Sequence, residues 1–180
     1  MSASPGGMWG QLPASNRRWI VVNALIVTAA VNLILNAALA SLSVSDFDSV
    51  PIWGAPFAKE PSLFGSALGS LFLLPLITCL IVTGLIRRDV RLDSLRPLPD
   101  LRSAHRWLTV LPATRFRRGV ALGALVLLAL APLLALVLFL LDPAALSQGQ
   151  FVVCQTTLTV VLGAIVTPAI AVAAMADPAE

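Results

Sequence analysis

The chain has few of the side chains that carry out chemistry, with 1 histidine, 2 cysteines and no tyrosine in 180 residues. The single histidine, His105, argues against a histidine-based metal or haem site within one chain. Cys79 and Cys154 form no CxxC pair, and the sequence holds no glycine-rich phosphate loop and no G-x-S-x-G nucleophile motif. We therefore predict a protein that is not an enzyme and that binds no cofactor and no metal.

Charge is also scarce, since charged residues make up 12% of the chain and hydrophobic residues 58%, with a mean hydropathy of +0.90. Soluble domains contain about 25% charged residues. Runs without any charged residue or histidine cover residues 19–42, 63–86, 119–141 and 151–175. Each run exceeds the roughly 20 helical residues that cross a bilayer core. The sequence predicts an all-α membrane protein, a bundle of four transmembrane helices.

The cations are concentrated in one place, because segment 87–118 contains nine of the 12 Lys and Arg residues. Arg17 and Arg18 precede the first run, and Lys59 alone lies in the two other connections. Short loops rich in Lys and Arg stay in the cytoplasm. We predict a multi-pass protein of the bacterial inner membrane with both termini and the basic loop cytoplasmic. The preference for arginine over lysine is typical of a bacterium of high genomic GC content.

The ends of the chain differ from its centre. Residues 1–16 are rich in Ser, Gly and Pro, which predicts a disordered cytoplasmic tail. Residues 17–177 then form one transmembrane domain, and residues 178–180 a short cytoplasmic end. A cleaved signal peptide is the alternative interpretation of the N-terminus. The apolar region of a signal peptide is about 7 to 15 residues long. The first apolar run is longer and contains two asparagines, so we expect it to be retained.

The connections between the apolar runs also show patterns that predict structure. In the outer connection, residues 43–62, we expect a solvated loop with Trp53 and Phe57 at the headgroup level. In the basic loop, apolar residues at helical spacing over residues 100–111 predict one short amphipathic helix on the membrane surface. Six residues there are candidates for contact with anionic lipid or a partner. They are Arg87, Arg88, Arg91, Arg102, Arg106 and Trp107.

Small and polar residues recur every fourth position in three of the runs. In the second run, Gly65 and Gly69 accompany regularly spaced serines, a face that lets another helix approach closely. In the fourth run such residues form a continuous stripe that we expect to face the other helices, whereas the third run is nearly all aliphatic and should face lipid. Matching faces and depths predict one hydrogen-bonded cluster within the membrane. Its members are Asn32, Asn36, Ser66, Ser70, Gln155 and Thr159.

Several short motifs are spread along the chain. They are Asn32 with Asn36, Pro51-Ile52-Trp53-Gly54, Phe72-Leu73-Leu74-Pro75, Ile81-Val82-Thr83 before Arg87-Arg88, and Val166-Thr167-Pro168. Over most of residues 17–177 this combination resembles a group of small four-helix bacterial inner-membrane proteins. The resemblance implies the topology and contributes nothing to mechanism.

Two functions are compatible with these patterns. The first is a structural or accessory membrane protein that assembles through its small-residue faces. Its partners would be membrane lipids and either a second copy of the chain or another membrane protein, and not nucleic acid, since membrane topology alone explains the basic loop. The alternative is a small oligomeric channel or transporter lined by the polar cluster. We expect a cavity beside the polar residues in the second case and tight packing in the first.

Overall fold

The computed structural model describes residues 7–112, 114–141 and 145–177. Four long helices dominate it, and we number them first to fourth in chain order. They are Ala14–Ser43, Leu63–Arg91, Arg115–Leu141 and Gln148–Met175. Each is long and apolar enough to cross a membrane. The chain is therefore mostly helical, with the four candidate spans that the apolar runs predict.

Every long helix extends beyond the charge-free run that predicts it. The second continues to Arg91, and the third already begins at Arg115. A charge-free run marks the part suited to hydrocarbon, whereas arginine is a good helix former whose long side chain reaches the headgroup region. The fourth helix begins earlier because of a capping box. Ser147 accepts from the backbone N–H of Gln150, and the Gln150 side chain accepts from the Ser147 N–H.

Residues 7–16 are not a disordered tail. A short helix, Gly7–Gln11, precedes the first long helix, and Leu12 and Asn16 are both buried. The Asn16 side-chain amide donates to the carbonyl oxygen of Arg96 at 2.9 Å. The prediction of disorder is therefore wrong for residues 7–16, because contacts with the distant basic loop fix them. The first six residues, like residues 178–180, lie outside the described part of the chain.

The first long helix is not uniformly α-helical. Its segment Ile20–Val27 is a π-helix, in which hydrogen bonds run to the residue five positions earlier. At its end the Thr28 hydroxyl donates to the carbonyl oxygen of Asn23, also five residues earlier, at 2.9 Å. An apolar run without prolines gives no sign of this change in the sequence.

The long helices do not pack in chain order. The fourth helix lies between the first and the second, and the third packs against the outer side of the second. The first and second helices, although consecutive, have few direct contacts. In its most apolar stretch the fourth helix has 61% of its residues buried and the third only 6%. The third helix is thus the most exposed and the polar stripe of the fourth is buried, as predicted.

Two glycines let the third helix approach the second closely. A Cβ at Gly123 would lie 2.6 Å from the carbonyl oxygen of Phe72, and one at Gly119 would lie 3.1 Å from that of Leu76. Both distances are shorter than any comfortable contact with a methyl group. Glycine is therefore required at this crossing, which holds the third helix in place.

The two glycines of the predicted small-residue face of the second helix contact a loop and not a helix. The space beside Gly65 is filled by the carbonyl of Ala55, and the Phe57 ring lies 3.5 Å from a Cβ built on Gly69. The expectation that these glycines admit another helix is therefore wrong. Glycine spacing identifies a surface suited to close approach, but it does not specify which segment approaches.

The two connections opposite the basic loop pair with each other, and we call this end of the molecule the strand end. Strand β1, Ser49–Pro51, runs antiparallel to strand β2, Ala145–Ser147. Val50 and Ile52 are buried in a hydrophobic cluster with Phe151. The outer connection is therefore partly a packed cover and not the fully solvated loop that its composition predicts. Phe57, by contrast, is 80% exposed.

The basic loop contains two short helices where the sequence predicts one. These are Pro99–Ala104 and Arg106–Val110, separated by His105 in an extended conformation. Leu101 and Leu108, which the helical spacing places on the apolar face, are both buried against the ends of the long helices. We call this side of the molecule the basic end.

Candidate functional site

A cavity of about 490 Å³ lies between the first and second long helices, and we call it the groove. It exists because these two helices have few direct contacts. Along the second helix it extends from Ser62 to Thr78, a distance of about 24 Å at 1.5 Å per residue. Outer-loop residues 55 and 57–61 line its end nearest the strands. Its volume is within the range of about 300–1,000 Å³ typical of ligand pockets.

Four of the six residues of the predicted polar cluster line this groove. They are Asn32, Asn36, Ser66 and Ser70. Lys59 and Glu60 line the end nearest the strands, so the charged lining residues lie there. Deeper along the second helix the wall consists of leucines and an isoleucine, namely Leu73, Leu74 and Ile77. The groove is therefore polar on its outer side and more apolar within.

Gln155 of the fourth helix contacts the second helix at the level of the groove. The Gln155 side-chain amide donates to the hydroxyl of Ser70 at 2.7 Å and to the backbone carbonyl of Ser66 at 3.3 Å. Gln155 is only 7% exposed. This contact orients the Ser70 side chain and ties the fourth helix to the second at the level of the groove.

The other cluster residues bond within their own helices. The Asn36 amide donates to the carbonyl oxygen of Asn32, and the Thr159 hydroxyl donates to that of Thr156, both at 2.9 Å. The predicted single hydrogen-bonded cluster is therefore not formed among the described residues. Of the predicted cluster, Gln155 alone donates hydrogen bonds to another helix in the described part of the chain, whereas the two asparagines line the groove.

Asn32 has an unusual environment. Its amide occupies the space where a Cβ on residue 163 would lie, which explains the glycine at that position. Its Nδ2 atom is buried and has no hydrogen-bond partner in the part of the chain that the structure describes. An unsatisfied buried donor costs about 1–3 kcal/mol. Asn32 therefore lines the groove while its unsatisfied donor packs against Gly163 of the fourth helix.

A second constellation lies at the basic end, where the carboxylate of Asp177 is surrounded by arginines. Arg118 donates to its Oδ1 at 2.5 Å and Arg102 at 3.1 Å, while Arg87 lies 3.8 Å from Oδ2. The side chains of Asp177 and Arg118 are 6% and 1% exposed. We call this the ion cluster. It links the end of the fourth helix to the start of the third, to the second and to the basic loop.

The two most buried arginine contacts extend further into the loop. Arg118 also donates through Nε to the carbonyl oxygen of Pro112 at 3.1 Å, and Arg102 donates to that of Leu111 at 3.0 Å. Each guanidinium therefore joins Asp177 to the backbone just before the third helix. This arrangement fixes the path by which the basic loop enters that helix.

The predicted lipid-contact residues divide into two groups. Arg87 and Arg102 turn towards Asp177. The remaining four are exposed, namely Arg88, Arg91, Arg106 and Trp107. Asp177 and Arg118 were not predicted as site residues. The only sign in the sequence is that an aspartate follows the last apolar run by two residues, on the side where the arginines are concentrated.

Other chemistry finds no support in the described residues, among which no three His, Cys, Asp or Glu side chains come together as metal ligands. Comparison with known proteins adds no assignment, because no protein-family profile, curated protein or solved structure matches this chain. The resemblance to small bacterial inner-membrane proteins thus stays a prediction. The groove and the ion cluster are the features of the described chain that bear on its function.

Proposed function

We propose that the protein is a non-enzymatic integral membrane protein that binds a small polar or amphiphilic molecule in the groove. The observation that carries this proposal is that Asn32, Asn36, Ser66 and Ser70 line a cavity. Polar side chains that served only to join helices would be packed against a partner helix. Amides and hydroxyls both donate and accept hydrogen bonds, so together they suit an uncharged polar group.

The distribution of polarity suggests how such a ligand is oriented. Lys59 and Glu60 place one charge of each sign at the end nearest the strands. No ionisable residue lies among the deeper lining residues, where Leu73, Leu74 and Ile77 form the wall. A molecule with a polar head towards the outer loop and an apolar body along the second helix matches this gradient.

Two observations favour binding over the other functions. The small-residue faces on which assembly would depend are largely used within the chain, with the outer loop covering Gly65 and the second helix covering Gly123. A channel needs a continuous path, whereas the groove ends at Thr78. Beyond it Cys79 and Ile86 are fully buried. Binding without a through-path fits both observations.

Thiol labelling tests the groove. In a Cys79→Ala, Cys154→Ala background, a membrane-impermeant maleimide should modify Asn36→Cys and Ser70→Cys in native membranes, because both positions line a cavity that extends to the outer loop. Leu133→Cys is the matched control, since it lies at a similar distance from the strand end and is 56% exposed. We expect it to face lipid and to remain unmodified. Equal reactivity at all three positions, or at none, would contradict a water-accessible groove.

We further propose that the chain lies in a bacterial inner membrane with the basic end cytoplasmic. The support is the concentration of arginines at one end of the molecule. In intact cells, the impermeant reagent should label Lys59→Cys and leave Ser103→Cys unmodified until the cells are opened, both made in the same background. Both positions are exposed. The opposite pattern would reverse the orientation.

A further inference from the structure

A second cavity, of about 500 Å³, lies at the basic end, and we call it the arginine pocket. Arg87 and Arg91 of the second helix and Arg115 at the start of the third contribute to its lining, together with Asp177. It is separate from the groove, which ends at Thr78. None of the groove-lining polar residues reaches it.

The charge of this pocket is strongly positive. Asp177, the one acidic residue among the described lining residues, already accepts hydrogen bonds from Arg118 and Arg102. Arg91 and Arg115 are exposed, and within the described part of the chain neither has a hydrogen-bond or ion-pair partner. Asp89 is not among the lining residues, and its carboxylate accepts instead from the indole N–H of Trp19 at 2.7 Å. Arg91 and Arg115 therefore contribute positive charge that no carboxylate in the described part of the chain pairs with.

The arrangement of these cations suits one kind of anion. Arg87 and Arg91 are four residues apart on a continuous helix, so they lie on the same face, one turn apart. Arg115 approaches from another helix. Guanidinium groups bind phosphate oxygens through two parallel hydrogen bonds, and a phosphate has enough oxygens to contact several arginines at once.

The inner side of the pocket is apolar. Gly84 and Ile86 line it, and nothing lies within 4 Å of a Cβ built on Gly84. Gly84 lies near the end of the charge-free run 63–86, so this open space lies at the inner edge of the hydrocarbon core. A ligand that fills both the charged and the apolar side of the pocket has a phosphate group that binds the arginines and an apolar chain that lies beside Gly84.

We propose that the arginine pocket binds the phosphate group of an anionic phospholipid, with an acyl chain lying beside Gly84. This assignment is independent of the ligand in the groove. It differs from a general attraction of a basic loop to an anionic membrane, because specific arginines and a specific open space are required.

Lipid binding by the purified full chain in detergent micelles tests the site. We expect phosphatidylglycerol, but not phosphatidylcholine, to bind in native mass spectrometry. The double variant Arg91→Gln, Arg115→Gln should bind phosphatidylglycerol at least about tenfold more weakly. The control Arg106→Gln, Arg117→Gln removes the same charge from exposed positions outside the pocket and should bind as the unmodified protein does. If both double variants bound phosphatidylglycerol equally weakly, the binding would depend only on the total positive charge of the protein. That result would overturn the proposed site.

A second variant leaves every arginine in place. Gly84→Leu fills the open space, so phosphatidylglycerol binding should weaken while the melting temperature stays close to that of the unmodified protein. Competition with inorganic phosphate distinguishes a lipid headgroup from a soluble phosphate as the bound anion. If it displaces phosphatidylglycerol at equal concentration and Gly84→Leu has no effect, the pocket binds a soluble phosphate and the lipid assignment is overturned.

Discussion

Replacing Asp177 by asparagine is expected to lower the free energy of unfolding by about 3–5 kcal/mol, the loss typical when one partner of a buried ion pair is removed. The reason is the burial of Arg118, whose side chain is 1% exposed and whose charge Asp177 offsets at 2.5 Å. Asparagine keeps the shape of the side chain and removes the negative charge. Unfolding in mixed micelles with increasing dodecyl sulfate, followed by tryptophan fluorescence, measures the difference.

The matched control is Asp100→Asn, the same chemical change at an exposed position of the basic loop. It should alter stability by less than about 0.5 kcal/mol. The double variant Asp177→Asn, Arg118→Met should be more stable than Asp177→Asn alone, because no uncompensated charge remains buried. Equal stability of Asp177→Asn and Asp100→Asn would mean that the ion cluster does not hold the ends of the helices together.

Replacing Gly123 by alanine is expected to destabilise the protein by about 1–3 kcal/mol, although alanine is the better helix former. The added methyl group would lie 2.6 Å from the carbonyl oxygen of Phe72. That oxygen belongs to the backbone of the second helix and cannot rotate away, so the third helix must move outwards. The same unfolding titration measures the loss.

Gly84→Ala provides the control for this effect. Gly84 also lies inside a long helix, but nothing lies within 4 Å of its Cβ position. Alanine there should leave stability unchanged or raise it by up to about 1 kcal/mol, through helix propensity alone. The two substitutions are therefore expected to have opposite signs. A stabilising Gly123→Ala would contradict the close crossing of the second and third helices.

Local patterns in the sequence predicted those features that depend on one helix at a time. The four helices follow from the length of charge-free runs, since hydrocarbon excludes charge whatever the neighbours are. The buried face of the fourth helix follows from polar and small residues at every fourth position, of which Thr159 and Thr167 are fully buried. The helix ends were predicted less well, because arginines such as Arg87 and Arg88 are compatible with helix outside the hydrocarbon.

The candidate sites were only partly predictable. Asn32 and Asn36 were identified from their spacing. Spacing shows that two residues lie on the same face of a helix, but it does not show which segment or cavity that face contacts. Whether they join helices or line a cavity depends on how far the first helix lies from the second. Similarly, Asn16 carries no local sign that it will be buried against Arg96, 80 positions along the chain.

The amino-acid sequence was sufficient to predict that this chain is mostly helical, where its four candidate spans lie and which face of the fourth is buried. Each of these depends on the hydrophobicity and periodicity of a single segment. The position of the fourth helix between the first and the second, which opens the groove, became known from the folded chain. The same holds for the contacts of Asp177 with arginines from three other segments. Contacts between distant segments depend on the packing of the whole chain, which no local pattern records.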